Sequence, residues 1–367
     1  DRSLSTLGVL KGLGGADVTA TAINRRGQVV GRAETSAGHQ RAFLWRDRET
    51  IDLGTLGGEW SRAADVNDWG QIVGTSVTAR GEARAFYWAN GQMYNIGTLG
   101  GRESYGVGIN ERGEVVGYST VGNGEVHAFL WSHGQMRDLG TLGGRGSFSV
   151  AANEHGTVVG RSSTGTGGAQ AFRWSGGEVQ DLAPPGARSS SAVDLSANGR
   201  VLVNAQVGGR SSAFIWSPEE TIRLEGGVSV ASDINAAGNA VGQVTSSGRT
   251  FGVLWRDGKA VRLHPRGYAN SSSALAIGSD GAVTGTVRRA GRSSHQAFFW
   301  RQGELATLEH DRFDEEPVRT TGLAVLESNV VLGLATFSSG VERSFVWKPP
   351  LDVGAPRRQS VPSGEIR

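Results

Sequence analysis

The chain contains no cysteine in 367 residues, which excludes disulfides, thiolate metal sites and a thiol nucleophile and leaves the redox compartment open. Lysine is scarce: only Lys11, Lys259 and Lys348 stand beside 34 arginines among the 37 basic residues. Codon usage explains that bias more simply than nucleic-acid binding, because no arginine-rich stripe with interleaved aromatics occurs. Formal net charge is +2, too small for a global field that would draw the protein to nucleic acid or an anionic membrane. No apolar run reaches the roughly 18 residues of a membrane span, and the opening DRSLSTLGVL lacks the charged n-region and apolar core of a signal peptide. A Walker loop, GxSxG and HExxH are also missing, as is any helical periodicity over about ten residues.

What the chain does contain is repetition. Trp45, Trp88, Trp131, Trp174, Trp216, Trp255, Trp300 and Trp347 are separated by 43, 43, 43, 42, 39, 45 and 47 residues, the period of a repeat architecture. Copies fall near 12–53, 54–96, 97–139, 140–182, 183–224, 225–263, 264–308 and 309–350; the second to fourth open with GTLGG, and the later ones lose it. A single domain over 1–354 is expected, with 355–367 as a flexible C-terminal tail.

Within copy two, SRAADVN, QIVGTSV, ARAFYW and QMYNIG read as four short strands separated by DWG, TARGE and ANG. Glycines at 27, 70, 113, 156, 199, 238 and 281 fit hairpin positions that need a positive φ, with Asn329 in their place in copy eight. A second column, Gly31, Gly74, Gly117, Gly160, Gly242, Gly285 and Gly333, lies inside the second strand. It implies close backbone approach, expected under the large Trp of the third strand, and Asn204 should pack differently. The fold class is therefore all-β, a single β-propeller of about eight four-stranded blades, with seven blades or an open solenoid as alternatives. Pro349 and Pro350 spoil the fourth strand of the last copy, and STLGVL at 5–10 resembles the outer strand IDLGTL at 51–56. The N-terminal strand is thus expected to complete the last blade.

The frame LGTLGG at Leu139 to Gly144, the IN strand and GEVVG at Ile109 to Gly117, and HAFLW at His127 to Trp131 resemble the HAF repeats of bacterial, often exported, proteins. The resemblance covers nearly the whole chain and is sharpest in copies one to four. It implies a repeat architecture and an extracellular or periplasmic location, and it brings no shared catalytic residues. The naming histidine is found only in copy three, its equivalents being Arg41, Arg84, Gln170, Ser212, Gln296 and Arg343.

In a propeller the loop joining one blade to the next lies around a mouth of the central channel, where ligands bind. Here that loop is GTLGG with the variable residues after it: Glu59, Trp60 and Arg62; Arg102, Glu103 and Tyr105; Arg145 and Phe148; Arg188. One reading is a rim that binds a polar or anionic ligand through guanidinium groups and rings. The other is that the rings fill space between blades while the arginines pair with Glu59 and Glu103. The loops opening copies seven and eight diverge most, bringing His264, Arg266, Tyr268, His310, Asp311, Asp314, Glu315, Glu316 and Arg319. Histidine beside carboxylates suits general acid–base chemistry; the same oxygens suit a hard cation, or face water as a solvated acidic loop. Asp65, Asp194 and Asp233 share one column, forming either an acidic ring or hydrogen bonds to the backbone of neighbouring blades.

Two functions follow. The first is a binding scaffold holding a small molecule, glycan or protein at the channel mouth, with Trp60, Arg62, Arg102, Glu103, Tyr105, Arg145, Phe148, Arg188, Arg266 and Tyr268 as ligand-binding residues. The second is a non-redox lyase, cyclase or hydrolase with His264, His310, Asp311, Asp314, Glu315 and Arg319 as catalytic residues. No cofactor, metal or nucleic-acid partner is expected, and the protein is expected to be a monomer.

Overall fold

Copy two shows how one repeat folds. Its strands Gly57–Val66, Ile72–Thr78, Ala83–Ala89 and Gln92–Asn95 form an antiparallel meander in sequence order. That meander is a β-propeller blade, and its repetition makes the fold all-β. The computed structural model describes residues 6–264, 269–291 and 293–349. Among them no helix is long and apolar enough to cross a membrane. The Arg266 and Tyr268 assignments and the tail at 355–367 lie outside the described residues.

The hairpin glycines behave as expected: Gly70 has φ +77°, Gly113 +75°, and Asn329 takes +61° in their place. The first strand starts earlier than its alternating pattern suggests. Pairing begins at Gly57↔Thr78, inside GTLGG, then shifts register before Ser61↔Ser76, because Gly57 at φ +100° lets the chain enter the sheet through a bulge.

The inner glycine column needs a correction. Gly74 pairs directly with Phe86 and Gly117 with Phe129. A Cβ on Gly117 would lie 2.0 Å from the Tyr105 carbonyl oxygen and 2.8 Å from the Phe129 ring. The crowding groups are thus the bulged first strand and the buried Phe, two residues before the Trp. Copy six alone fits the expectation of Trp: its Phe position holds Val253, and the Trp255 ring comes within 3.0 Å of a Cβ on Gly242.

The strands divide into two compact units. One comprises Lys11–Arg210 and Trp216–Thr221; the other comprises Asp1–Leu10, Ser211–Ile215 and Ile222–Arg367. In the first unit each hydrophobic cluster joins one copy to the next: Val30, Leu44 and Leu53 meet Ile72, Phe86 and Trp88. Val116, Leu130 and Leu139 likewise meet Val158, Phe172 and Trp174. Each such Phe contributes about 1.5–3 kcal/mol by burial. A ladder of buried asparagines runs alongside, the amides of Asn24, Asn67 and Asn110 donating to the carbonyls of Asn67, Asn110 and Asn153 at 2.9, 3.0 and 2.9 Å. Each also closes its own turn, as Asn67 Oδ1 accepts the N–H groups of Trp69 and Gln71.

In the second unit the same device links Asn235 to the Gly278 carbonyl at 3.0 Å. There Thr6–Val9 pairs antiparallel with Glu342–Lys348, setting Leu7 opposite Trp347, and Leu10 N–H donates to the Ser344 carbonyl at 2.9 Å. The N-terminal strand therefore supplies the outer strand of the last copy, the place that its own Pro-containing segment leaves open.

Candidate functional site

The GTLGG loop is occupied by its own architecture. The side chains of Asp52, Asn95 and Asp138 accept the N–H groups of Gly54, Gly97 and Gly140 at 2.8, 2.9 and 2.7 Å. Ser61, Ser104 and Ser147 donate to the carbonyls of the same glycines at 2.6 Å. Each serine also accepts, at 2.9 Å, the N–H of Ala42, Ala85 or Ala128 in the preceding copy. Each hydroxyl both donates and accepts within the fold, so these serines fasten the loop to its own and the preceding copy.

That relay explains the histidines of copies seven and eight. Ser272 Oγ accepts the Gly252 N–H at 2.8 Å and lies 2.8 Å from His264 Nε2. Thr320 Oγ1 accepts the Ala297 N–H at 2.8 Å and lies 3.3 Å from His310 Nε2. In both copies the imidazole occupies the place beside the hydroxyl that the glycine carbonyl takes in copies two to four. His264 and His310 are 4% and 5% exposed, and each serves its own copy; they do not converge on one site. Asp311, Asp314, Glu315 and Glu316 are exposed, and Arg319 Nε donates to Thr321 Oγ1 at 3.1 Å. Among the described residues no three His, Asp or Glu side chains form a metal-binding group.

Asp65 and Asp233 bond the next copy. Asp65 Oδ2 accepts the Ile109 N–H at 3.0 Å and Oδ1 its neighbour Val66 at 2.8 Å. Asp233 accepts the Ile277 N–H at 2.8 Å, and Asp194 accepts that of Leu195 at 2.7 Å. Burial pushes the Asp65 carboxyl above its ordinary 3.8, while the two N–H donors oppose the rise.

The rim residues of copies two and three meet in the first unit. Trp60, Arg62 and Tyr105 line a cavity of about 560 Å³ together with Glu59 and three residues of copy one, Arg32, His39 and Gln40. Trp60 is 38% exposed, presenting a face to solvent. Among the described residues the side chains of Arg32, Arg62, His39 and Glu59 make no hydrogen bond or ion pair within the protein. The expected alternative pairing of arginines with Glu59 and Glu103 is therefore not formed. Gln40 Oε1 is buried without a hydrogen-bond partner, an acceptor awaiting a donor. Tyr105 donates to Glu103 Oε2 at 3.0 Å; burial, then the carboxylate beside it, push the phenol up to about 12, so it remains a neutral donor.

Further along, Phe148 is 45% exposed and packs edge-on against Tyr118 at 5.1 Å. Arg145 reaches Glu125 at 3.8 Å while remaining almost fully exposed. Arg102 and Arg188 are exposed, and the Arg102 carbonyl accepts from Arg84. Arg41 makes the equivalent bond to the Glu59 carbonyl, whereas His127 in that column pairs with Asp138 at 2.8 Å. The naming column of the repeat thus fastens loops. Sequence reasoning missed Arg32, His39 and Gln40 because they precede the loop; the visible signal was a variable second-strand column that holds Arg32, Thr75, Tyr118 and Arg161 in copies one to four.

The chain matches no protein-family model and no curated protein. Among solved structures it is similar to the β-propeller domain of the Trilobed protease from Pyrococcus furiosus, with 12% identity, coverage of 79% of this chain and 97% of that chain, and TM-score 0.49. It is similar to puromycin hydrolase at 16% identity and TM-score 0.48, over 90% of this chain but 53% of that chain. SapL1 lectin in complex with alpha methyl fucoside gives 11% identity, 93% and 98% coverage, and TM-score 0.31.

Proposed function

We propose that the protein is a ligand-binding β-propeller scaffold, a monomer of HAF-repeat type exported by its host, and that its site is the cavity between copies one and two. About eight blades, one per copy, belong to the same proposal. One observation supports the site most: uncommitted guanidinium groups of Arg32 and Arg62 and the open face of Trp60 surround the same 560 Å³ space. Two cations against the single carboxylate of Glu59 favour an anionic group. The indole and Tyr105 favour a ligand with a flat or apolar face. The enzyme alternative relied on His264 and His310, whose burial beside Ser272 and Thr320 supports structural roles.

A thermal-shift screen of the purified protein against small neutral and anionic sugars and metabolites tests this. Ligands that stabilise the wild type should lose most of that stabilisation in Trp60→Ala and in Arg62→Ala. Stabilisation retained in both variants would place binding elsewhere and remove the proposal.

A further inference from the structure

Tyr105, at the edge of the cavity, belongs to a column of side chains that continues into the next copy. The same two strand positions face each other in every copy, and in copies two to four they carry Arg62↔Thr75, Tyr105↔Tyr118 and Phe148↔Arg161. Their neighbours are nearly invariant, Ser61, Ser104 and Ser147 on one side and Gly74, Gly117 and Gly160 on the partner strand, so variation concentrates on one column. The rings in that column touch: Tyr105 stacks on Tyr118 with centroids 5.0 Å apart and planes 22° from parallel, and Tyr118 meets Phe148 edge-on at 5.1 Å. The result is an aromatic run from Trp60 to Phe148, crossing from one copy to the next, with arginine at both ends.

We infer that this run is an extended subsite, and that the ligand is a linear acidic glycan, a chain of sugars bearing carboxylates. The inference rests on the cavity being the binding site. Among the described residues Arg161, like Arg32 and Arg62, makes no hydrogen bond or ion pair with the protein, so cationic groups face the run at each end and call for an anionic chain. Trp60 and Phe148 are exposed and Tyr105 and Tyr118 are half-buried, a succession of partly open rings that suits a polymer whose repeating units each present an apolar face. A nucleic acid also stacks and carries charge, but Glu59 within the cavity and Glu103 beside Tyr105 add hydrogen-bond acceptors that match the many hydroxyls of a sugar chain better than the few of a nucleic acid. Carboxylates there accept hydrogen bonds from sugar hydroxyls.

Isothermal titration of the full chain with galacturonate, hexagalacturonate, maltohexaose and an oligothymidylate decides the matter. Hexagalacturonate should bind at least about tenfold tighter than galacturonate, since several subsites engage one chain, and tighter than maltohexaose. Phe148→Ala should weaken the hexamer about fivefold and leave the monomer unchanged, matching about 1 kcal/mol for one ring. Arg161→Gln should weaken the hexamer and reduce its salt dependence, giving a second reading if Phe148→Ala fails to fold. Equal affinity for monomer and hexamer, or tighter binding of oligothymidylate, overturns the acidic-chain inference. If Trp60→Ala still abolishes monomer binding in that case, the cavity reading survives alone; hexamer binding indifferent to Trp60→Ala removes the cavity reading and the track with it.

Discussion

At the scale of single residues, position in the repeat decides what a polar side chain does. Histidine at 264 and 310 suggests chemistry only while its surroundings are unknown; both rings lie beside the hydroxyls of Ser272 and Thr320 in the place that a glycine carbonyl takes in copies two to four. Asp65 follows the same logic, its carboxylate binding Ile109 and Val66 N–H groups in a place where burial disfavours charge. Its folded pKa lies above the ordinary 3.8, so between those values the folded state binds more protons than the unfolded one. Stability from this group therefore falls as pH rises from 3.8 through the folded pKa. Urea midpoints across that window should show the slope in the wild type and lose it in Asp65→Asn. The variant should also be less stable by about 1–2 kcal/mol near the acid end, because an amide offers one acceptor oxygen for two N–H donors.

At the scale of the strand and the blade, glycine marks two different demands. Gly117 is held by its neighbours: Tyr105 O and the Phe129 ring fill the space a Cβ would need. Gly117→Ala should destabilise the protein by about 3 kcal/mol, since backbone and a buried ring give way poorly. Gly124, at φ +87° with nothing nearby, should cost about 1 kcal/mol as alanine, for its conformation alone. Gly122 meets nothing and has no positive φ, so Gly122→Ala should be neutral or mildly stabilising. Denaturation midpoints of the three variants, in that order of damage, check the assignment. The glycine columns were legible in the sequence as periodic breaks in β-branched runs. The crowding group was not, because the register of the hairpin joining the second and third strands, closed by a turn such as Thr78 to Glu82, determines whether Phe or Trp lies opposite the glycine.

At the scale of the whole molecule, the strands Thr6–Val9 and Glu342–Lys348 are tied together within one unit. Leu7 lies opposite Trp347 and packs on the cluster containing Phe299 and Phe345, and Leu10 is buried. Deleting residues 1–10 should lower the melting temperature and promote concentration-dependent association, because the edge of Glu342–Lys348 would lose its partner strand. Light scattering with a thermal scan measures both, and an unchanged, monodisperse truncation would contradict the clasp. By itself the sequence determined the all-β class, the hairpin turns and the clasp strand, because these follow from local period, φ preference and the ladder bond that proline cannot make. It also pointed to Trp60, Arg62 and Tyr105 as departures from a regular frame. Tertiary structure alone decided which of the departures share a cavity, that Arg32, His39 and Gln40 of the preceding copy join them, and that the two histidines are buried beside hydroxyls. Those outcomes depend on how one copy packs against the next, and spacing along the chain does not specify which side chains meet across that interface.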